Sequence, residues 1–265
     1  MIVLGAIAPH GDPAFVDGSP TRLAFEELGR RHADARPDVT VVVTPHSVHV
    51  DGSFALVTAA VIAGSLDERG VELRCTIDRE LSGLILDELA HSAIPAVGLS
   101  YGSNDPALAE MPMDWGTLIP LWFLGARARD PVPVVVVSPA RDRPLEEHVQ
   151  AGRAIARACE GRRAAVVASA DHGHAHDPDG PFGFHAAAAE FDERMVDLVS
   201  GNRLQDAVGL EPIVEDAKAD SLWQILVLHG ALGDGFAVEL LSYERPTYFG
   251  MMCAAFTPSV AGGDG

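Results

Sequence analysis

The sequence predicts an α/β protein with a single domain, in which a largely buried central sheet is flanked by helices. Three observations predict it. Apolar runs of strand length, rich in Val and Ala, recur along the chain. Helix-like segments alternate with them, and 265 residues suffice to bury a sizeable core. Strands covered on both faces read as continuous apolar runs, as these do.

In chain order, Ile2-Ala8 is an unbroken apolar run and reads as the first strand, and Pro20-His32 follows as a helix. Val39-Thr44 and Ala55-Ala59 read as strands, Arg79-His91 as a helix and Ile94-Leu99 as a further strand. Thr117-Ala126 carries Leu118, Ile119, Leu121, Trp122 and Leu124 at near-helical spacing and reads as a core-facing helix. Val132-Ser138 and Ala164-Ala170 are strands, with the helix Leu145-Cys159 between them. Helices at His185-Val199 and Ala217-Leu232 precede two closing strands, Ala237-Ser242 and Met251-Phe256. Residues 1–259 are expected to form the catalytic domain, and the Gly-rich tail 260–265 to fray.

With 38 acidic and 19 basic residues the net charge is -19, which opposes nucleic acid and anionic membranes as partners. The apolar runs fall well short of the roughly 20 residues of a membrane span. The start MIVLGAIAPH lacks a basic leader region, so a cytoplasmic protein is expected. Cys75, Cys159 and Cys253 are few, odd in number and far apart, and are expected to be buried thiols rather than a disulfide framework. The scattered glycines make no phosphate-cradling loop, so no nucleotide is implied.

The histidines carry the functional signal. His10 follows the first strand and His46 the second, each after a proline. The segment SADHGHAHDPDGPFGFH, Ser169 to His185, delivers His172, His174 and His176 behind a third strand. If these strands are parallel, all three aim imidazoles at the carboxyl edge of the sheet, where open α/β folds form ligand crevices. Two histidines plus a carboxylate suit non-haem Fe(II), and also Zn2+ or Mn2+. For the carboxylate, Asp220 shares a face of the expected 217–232 helix with Asp216, Trp223 and Val227. Glu215 and Asp216 also read as acids complementing the helix dipole, and His229 as a basic residue near its end.

In order along the chain, the stretches GAIAPHGDPAF, TPHSVHVDG, DWGTLIPLWFL, SADHGHAH with AAEFDERMVDLVSG, LWQILVLHGAL and GMMCAAFTP resemble the class III extradiol ring-cleavage dioxygenases. The likeness is to the catalytic subunit of the protocatechuate meta-cleaving type. It implies an α/β fold around Fe2+, with His10 and His46 as metal ligands, Asp220 in the place of the family's glutamate, and His174, with His172 as the second choice, as acid/base. The implied reaction opens a catechol- or 2-aminophenol-type ring with O2. A small aromatic substrate, and a homo-oligomer or a small partner subunit, come with the resemblance. Two departures stand out: Trp115 where many members carry histidine, and an aspartate where the family has glutamate. A zinc-dependent hydrolase and a non-catalytic metal- or partner-binding protein remain the alternatives.

Overall fold

Valine-rich segments such as Val39–Val43 gain most by burying both faces, and the chain builds its core on that preference. The computed structural model describes residues 1–259; the tail at 260–265 lies outside the described residues. The elements are β1 (Ile2–Ala8), α1 (Pro20–Ala35), β2 (Val39–Val43), β3 (Phe54–Val57), β4 (Val61–Leu66), β5 (Val71–Thr76), α2 (Arg79–His91) and β6 (Ala96–Leu99). They continue with β7 (Glu110–Pro112), α3 (Trp115–Phe123), β8 (Val134–Ser138), α4 (Leu145–Ala158), β9 (Ala164–Ser169), α5 (Ala186–Ser200) and α6 (Glu211–Ala217). Helix α7 (Leu222–Leu232) and strands β10 (Phe236–Glu244) and β11 (Met251–Pro258) complete the described chain.

Eight strands form one mixed sheet in the order β10-β11-β1-β9-β2-β8-β3-β6. Its centre is parallel: β9 pairs in parallel with both β1 and β2, and β2 with β8. Strand β11 runs antiparallel to β1, and β3 antiparallel to β8. Alternation along β2 sends Val41 and Val43 to one core, with α2, α4, α5 and α7, and Val42 to the other, with α1 and α3. Both faces of the sheet are therefore covered, as the apolar runs require.

Three strands were not expected. β4, β5 and β7 make a small separate sheet in the order β5-β4-β7. Strand β5 alternates buried and exposed residues, Val71, Leu73 and Cys75 facing inward, and β7 is three residues long. Neither pattern resembles the continuous apolar runs that mark the main sheet. The expected helix 217–232 is also corrected: it is two helices, α6 and α7, with a break between them. Cys75, Cys159 and Cys253 are free and buried, as expected. Among the described residues no helix is long and apolar enough to cross a membrane.

Candidate metal centre and its cleft

Because β1, β9 and β2 are parallel neighbours, the residues just past their ends converge. His10 follows β1, His46 follows β2, and the loop from Asp171 to His176 follows β9. The Nε2 atoms of His10 and His46 lie 2.9 Å apart, and Oδ2 of Asp220 lies 3.5 Å from each. Donors bound at about 2.1 Å to one ion stand about 3.0 Å apart at right angles and about 3.4 Å apart at tetrahedral angles, so this triangle fits a shared divalent ion.

The hydrogen bonds around His10 point the same way. The Ser169 hydroxyl donates its single hydrogen to the carbonyl of Gly116 at 2.5 Å, so at 3.0 Å from Nδ1 of His10 it accepts. Nδ1 therefore carries a proton, which leaves Nε2 as the nitrogen that would present a lone pair to an ion at the centre, the arrangement that ligating histidines need. Electrostatics add to this. His10 is 2% exposed and burial opposes its charge, yet Asp171 and Asp220 outweigh burial and raise its pKa to about 9. Burial likewise opposes the charge of Asp220, but His10 and His46 hold its carboxyl far below the usual range. The two aspartates thus favour positive charge at this point, as a cation site does.

Asp220 reaches the centre because it is not on a helix. Helix α6 ends with Lys218 in the left-handed conformation, φ 53°, and with Ala219 N–H bonded to the Val214 carbonyl at 3.1 Å. The chain then turns, and Ser221 stands before α7 with its hydroxyl 3.0 Å from Nδ1 of His172. Between them Asp220 is 6% exposed, its Oδ1 accepting the Asp171 N–H at 3.2 Å. The expected helical face with Asp216, Trp223 and Val227 is corrected accordingly: Asp216 is exposed in α6, and Glu215 lines the cleft without joining the triangle.

Asp171 was missed by sequence reasoning. Its Oδ1 accepts the His10 N–H at 3.0 Å, and its Oδ2 lies 3.5 Å from Nε2 of His10. Burial pushes its carboxyl pKa up, against the pull of His10. The strand-end logic that found the histidines applies equally to this residue.

The Asp-Trp-Gly stretch opens α3 against His46. Asp114 accepts from Thr117 N–H and from the Thr44 hydroxyl, each at 2.9 Å, tying the helix start to the end of β2. A Cβ on Gly116 would lie 2.6 Å from Oγ1 of Thr44, so only glycine permits this approach. Trp115, which departs from the pattern that the resemblance implies, has its ring 4.4 Å from that of His46.

The centre opens into a cleft of about 840 Å³. His174 lines it; His172 does not. His172 is fully buried between Ser221 and Phe191, and burial lowers its pKa. The His174 ring stacks on Phe249 at 5.2 Å and meets Phe182 edge-on at 5.7 Å. Its Nδ1 is buried and has no hydrogen-bond partner among the described residues. Tyr248 also lines the cleft, whereas Tyr101 and His49 are exposed on the surface and His229 sits half-buried near the end of α7.

A mixed α/β sheet with a two-histidine, one-carboxylate centre at its parallel carboxyl edge defines the class of protein. The chain belongs to the family described as the catalytic LigB subunit of aromatic ring-opening dioxygenase, which it matches over residues 8–256. Protein CA_C1420 of Clostridium acetobutylicum is 25% identical over 231 residues, 84% of this chain and 49% of its own length. The chain thus spans about half the length of the curated relative it matches. The crystal structure of an uncharacterized protein, JW3007, from Escherichia coli K12 is similar in fold, with a TM-score of 0.69 at 14% identity. That likeness covers 96% of this chain and 99% of the other.

Proposed function

We propose that the protein is a non-haem Fe(II) dioxygenase that opens a catechol- or 2-aminophenol-type ring on the extradiol side. The observation that carries this reading is that His174, its ring held between Phe249 and Phe182, lines the same cleft as the His10–His46–Asp220 triangle. His10, His46 and Asp220 would hold the iron from one side. Bound Fe(II) supplies a redox-active Lewis acid that can join an electron-rich ring to dioxygen.

The remaining work falls to the chain's own groups. His174 takes a proton from a substrate hydroxyl and returns it later, a role for which imidazole needs little tuning. Trp115, Phe182, Tyr248 and Phe249 offer faces and edges to an aromatic ring and exclude water from it. The cleft is larger than a bare catechol needs and admits a substituted ring. Arg141, stacked 4.7 Å from the Trp223 ring, and Lys218 also line it, and they would favour an acidic substituent over a neutral one. Glu215 lies on the same wall, and Asp12 is paired with Arg69.

The test is oxygen uptake by anaerobically Fe(II)-loaded protein given catechols, carboxylated catechols and 2-aminophenols, with ring-opened product followed by absorbance. Uptake matched by product, and reduced about 100-fold or more in His174→Ala, is expected. Protein shown to hold one iron that consumes no oxygen with any of these compounds refutes the reading. Oxygen-independent hydrolysis by the zinc-loaded form would replace it.

A further inference from the structure

The histidine-rich segment after β9 holds an imidazole that this chemistry does not use. The His176 side chain is 3% exposed, with Nε2 2.9 Å from Oδ2 of Asp192 on α5 and Nδ1 2.9 Å from Nη1 of Arg245. A guanidinium only donates, so Nδ1 accepts from Arg245 and Nε2–H donates to Asp192. Tyr243 donates to the same Oδ2 at 2.7 Å, and the Gly173 N–H donates to Oδ1 at 2.7 Å. Asp192 itself is buried, 1% exposed, and accepts from three donors, two in the loop after β9 and one on β10.

The bond to Gly173 reaches the cleft. Gly173 lies between His172 and His174, and its carbonyl accepts the Gly250 N–H at 3.1 Å. The Gly250 carbonyl in turn accepts the His172 N–H at 2.9 Å. A Cβ on Gly250 would fall 2.1 Å from Oδ2 of Asp192, so this glycine is what lets the chain run directly against the carboxylate. Immediately before it come Tyr248 and Phe249, whose rings flank His174 at 6.0 and 5.2 Å. Past Gly173, the His174 N–H is anchored to the Ala217 carbonyl at 2.9 Å.

We propose that Asp192 is the positioning residue for His174. Through Gly173 and Gly250 it sets the imidazole and its aromatic wall as one unit relative to the metal triangle, while His176, Tyr243 and Arg245 hold the carboxylate in place. The inference rests on His174 being the proton-transfer group. Such a group must lie within about 2.6–3.2 Å of the proton it moves, and a misplacement of about 1 Å can lower a rate about 100-fold.

The test uses Asp192→Asn in the full chain. Its amide keeps one acceptor for Gly173 but turns an NH2 toward two donors. With Fe(II) loaded, kcat is expected to fall about 10- to 100-fold while KM and iron content stay within about twofold. Tyr243→Phe removes one donor and should lower kcat less. His176→Gln, which keeps an amide donor, should retain more activity than His176→Leu; if Asp192→Asn does not fold, this pair and Tyr243→Phe carry the test. Independently of turnover, the rate at which diethyl pyrocarbonate modifies His174, read by mass spectrometry, should change several-fold in the variants. A lowered melting temperature with wild-type kcat per folded molecule and a wild-type His174 modification rate would assign Asp192 to stability alone and overturn the proposal. If the wild-type protein consumes no oxygen, the proposed function fails by itself, and the modification rate still decides whether Asp192 places His174.

Discussion

Replacing Gly152 by alanine probes the link between packing and the metal centre. Helices α4 and α7 cross at a pair of glycines. A Cβ at Gly152 would sit 2.0 Å from the Val227 carbonyl oxygen and 2.7 Å from Ala231 N, and one at Gly230 would sit 2.0 Å from the Val149 carbonyl oxygen. Carbon and carbonyl oxygen normally keep about 3.3 Å, so the helices must part by more than 1 Å. The obstacle is backbone, which cannot rotate away, so the change belongs at the upper end of overpacking, about 3 kcal/mol. For a domain of this size that is a fall in Tm of about 6–12 °C.

The displacement also reaches the site. Helix α7 begins two residues after Asp220, its Gln224 donates to the Ser169 carbonyl at 3.2 Å, and Ser221 holds His172. Metal affinity should therefore drop by at least about tenfold, as it does when groups supporting ligands move. Calorimetric unfolding and equilibrium dialysis against a divalent ion measure the two effects. Gly83→Ala on α2 is the control: nothing lies within 4 Å of its added Cβ, and the variant should gain up to about 1 kcal/mol. A Gly152→Ala protein with a Tm within about 2 °C of wild type and unchanged metal affinity would refute the reasoning.

Ser169→Ala removes the acceptor that keeps the proton on Nδ1 of His10 and should weaken metal binding about 10- to 100-fold with the fold intact; an unchanged Kd by calorimetry contradicts the tautomer argument. Acid should destabilise the protein through His32 and His148, whose pKa values burial lowers to about 4. Unfolded chains take up these protons near pH 6.5 while the folded chain refuses them until about pH 4, so stability is intact above pH 6.5 and is lost as pH falls through that window. Each histidine contributes up to about 1.4 kcal/mol per pH unit, so a His32→Gln, His148→Gln protein should lose markedly less stability between pH 7 and pH 5 in urea titrations. Equal losses in both proteins would show that other groups set the acid limit.

Much of the site was legible because its cause is local. A continuous apolar run ending in Pro-His places an imidazole past a buried strand, and His10 and His46 need nothing further to be found. Asp220 was legible only as a nearby acid. Neither glycine nor proline marks the break that carries it; the left-handed residue is Lys218, and the preference of a non-glycine residue for that conformation is set by surrounding contacts. Asp171 was open to the same strand-end reading as the histidines, Ser169 carries no signal of its own, and in the small sheet β4 leaves its apolar start for Gly64 and Ser65, β5 alternates and β7 is three residues long.

The sequence by itself determined the α/β class, the central strands and the histidines at their ends, because hydrophobic periodicity and strand punctuation act over a few residues. Only the tertiary structure decided which carboxylate completes the triangle, which nitrogen of His10 faces it, and that His174 rather than His172 lines the cleft. Those outcomes depend on residues such as Ser169, Ser221 and Asp192, which are far apart in the chain from some of the groups they hold and meet them only when both faces of the sheet have packed.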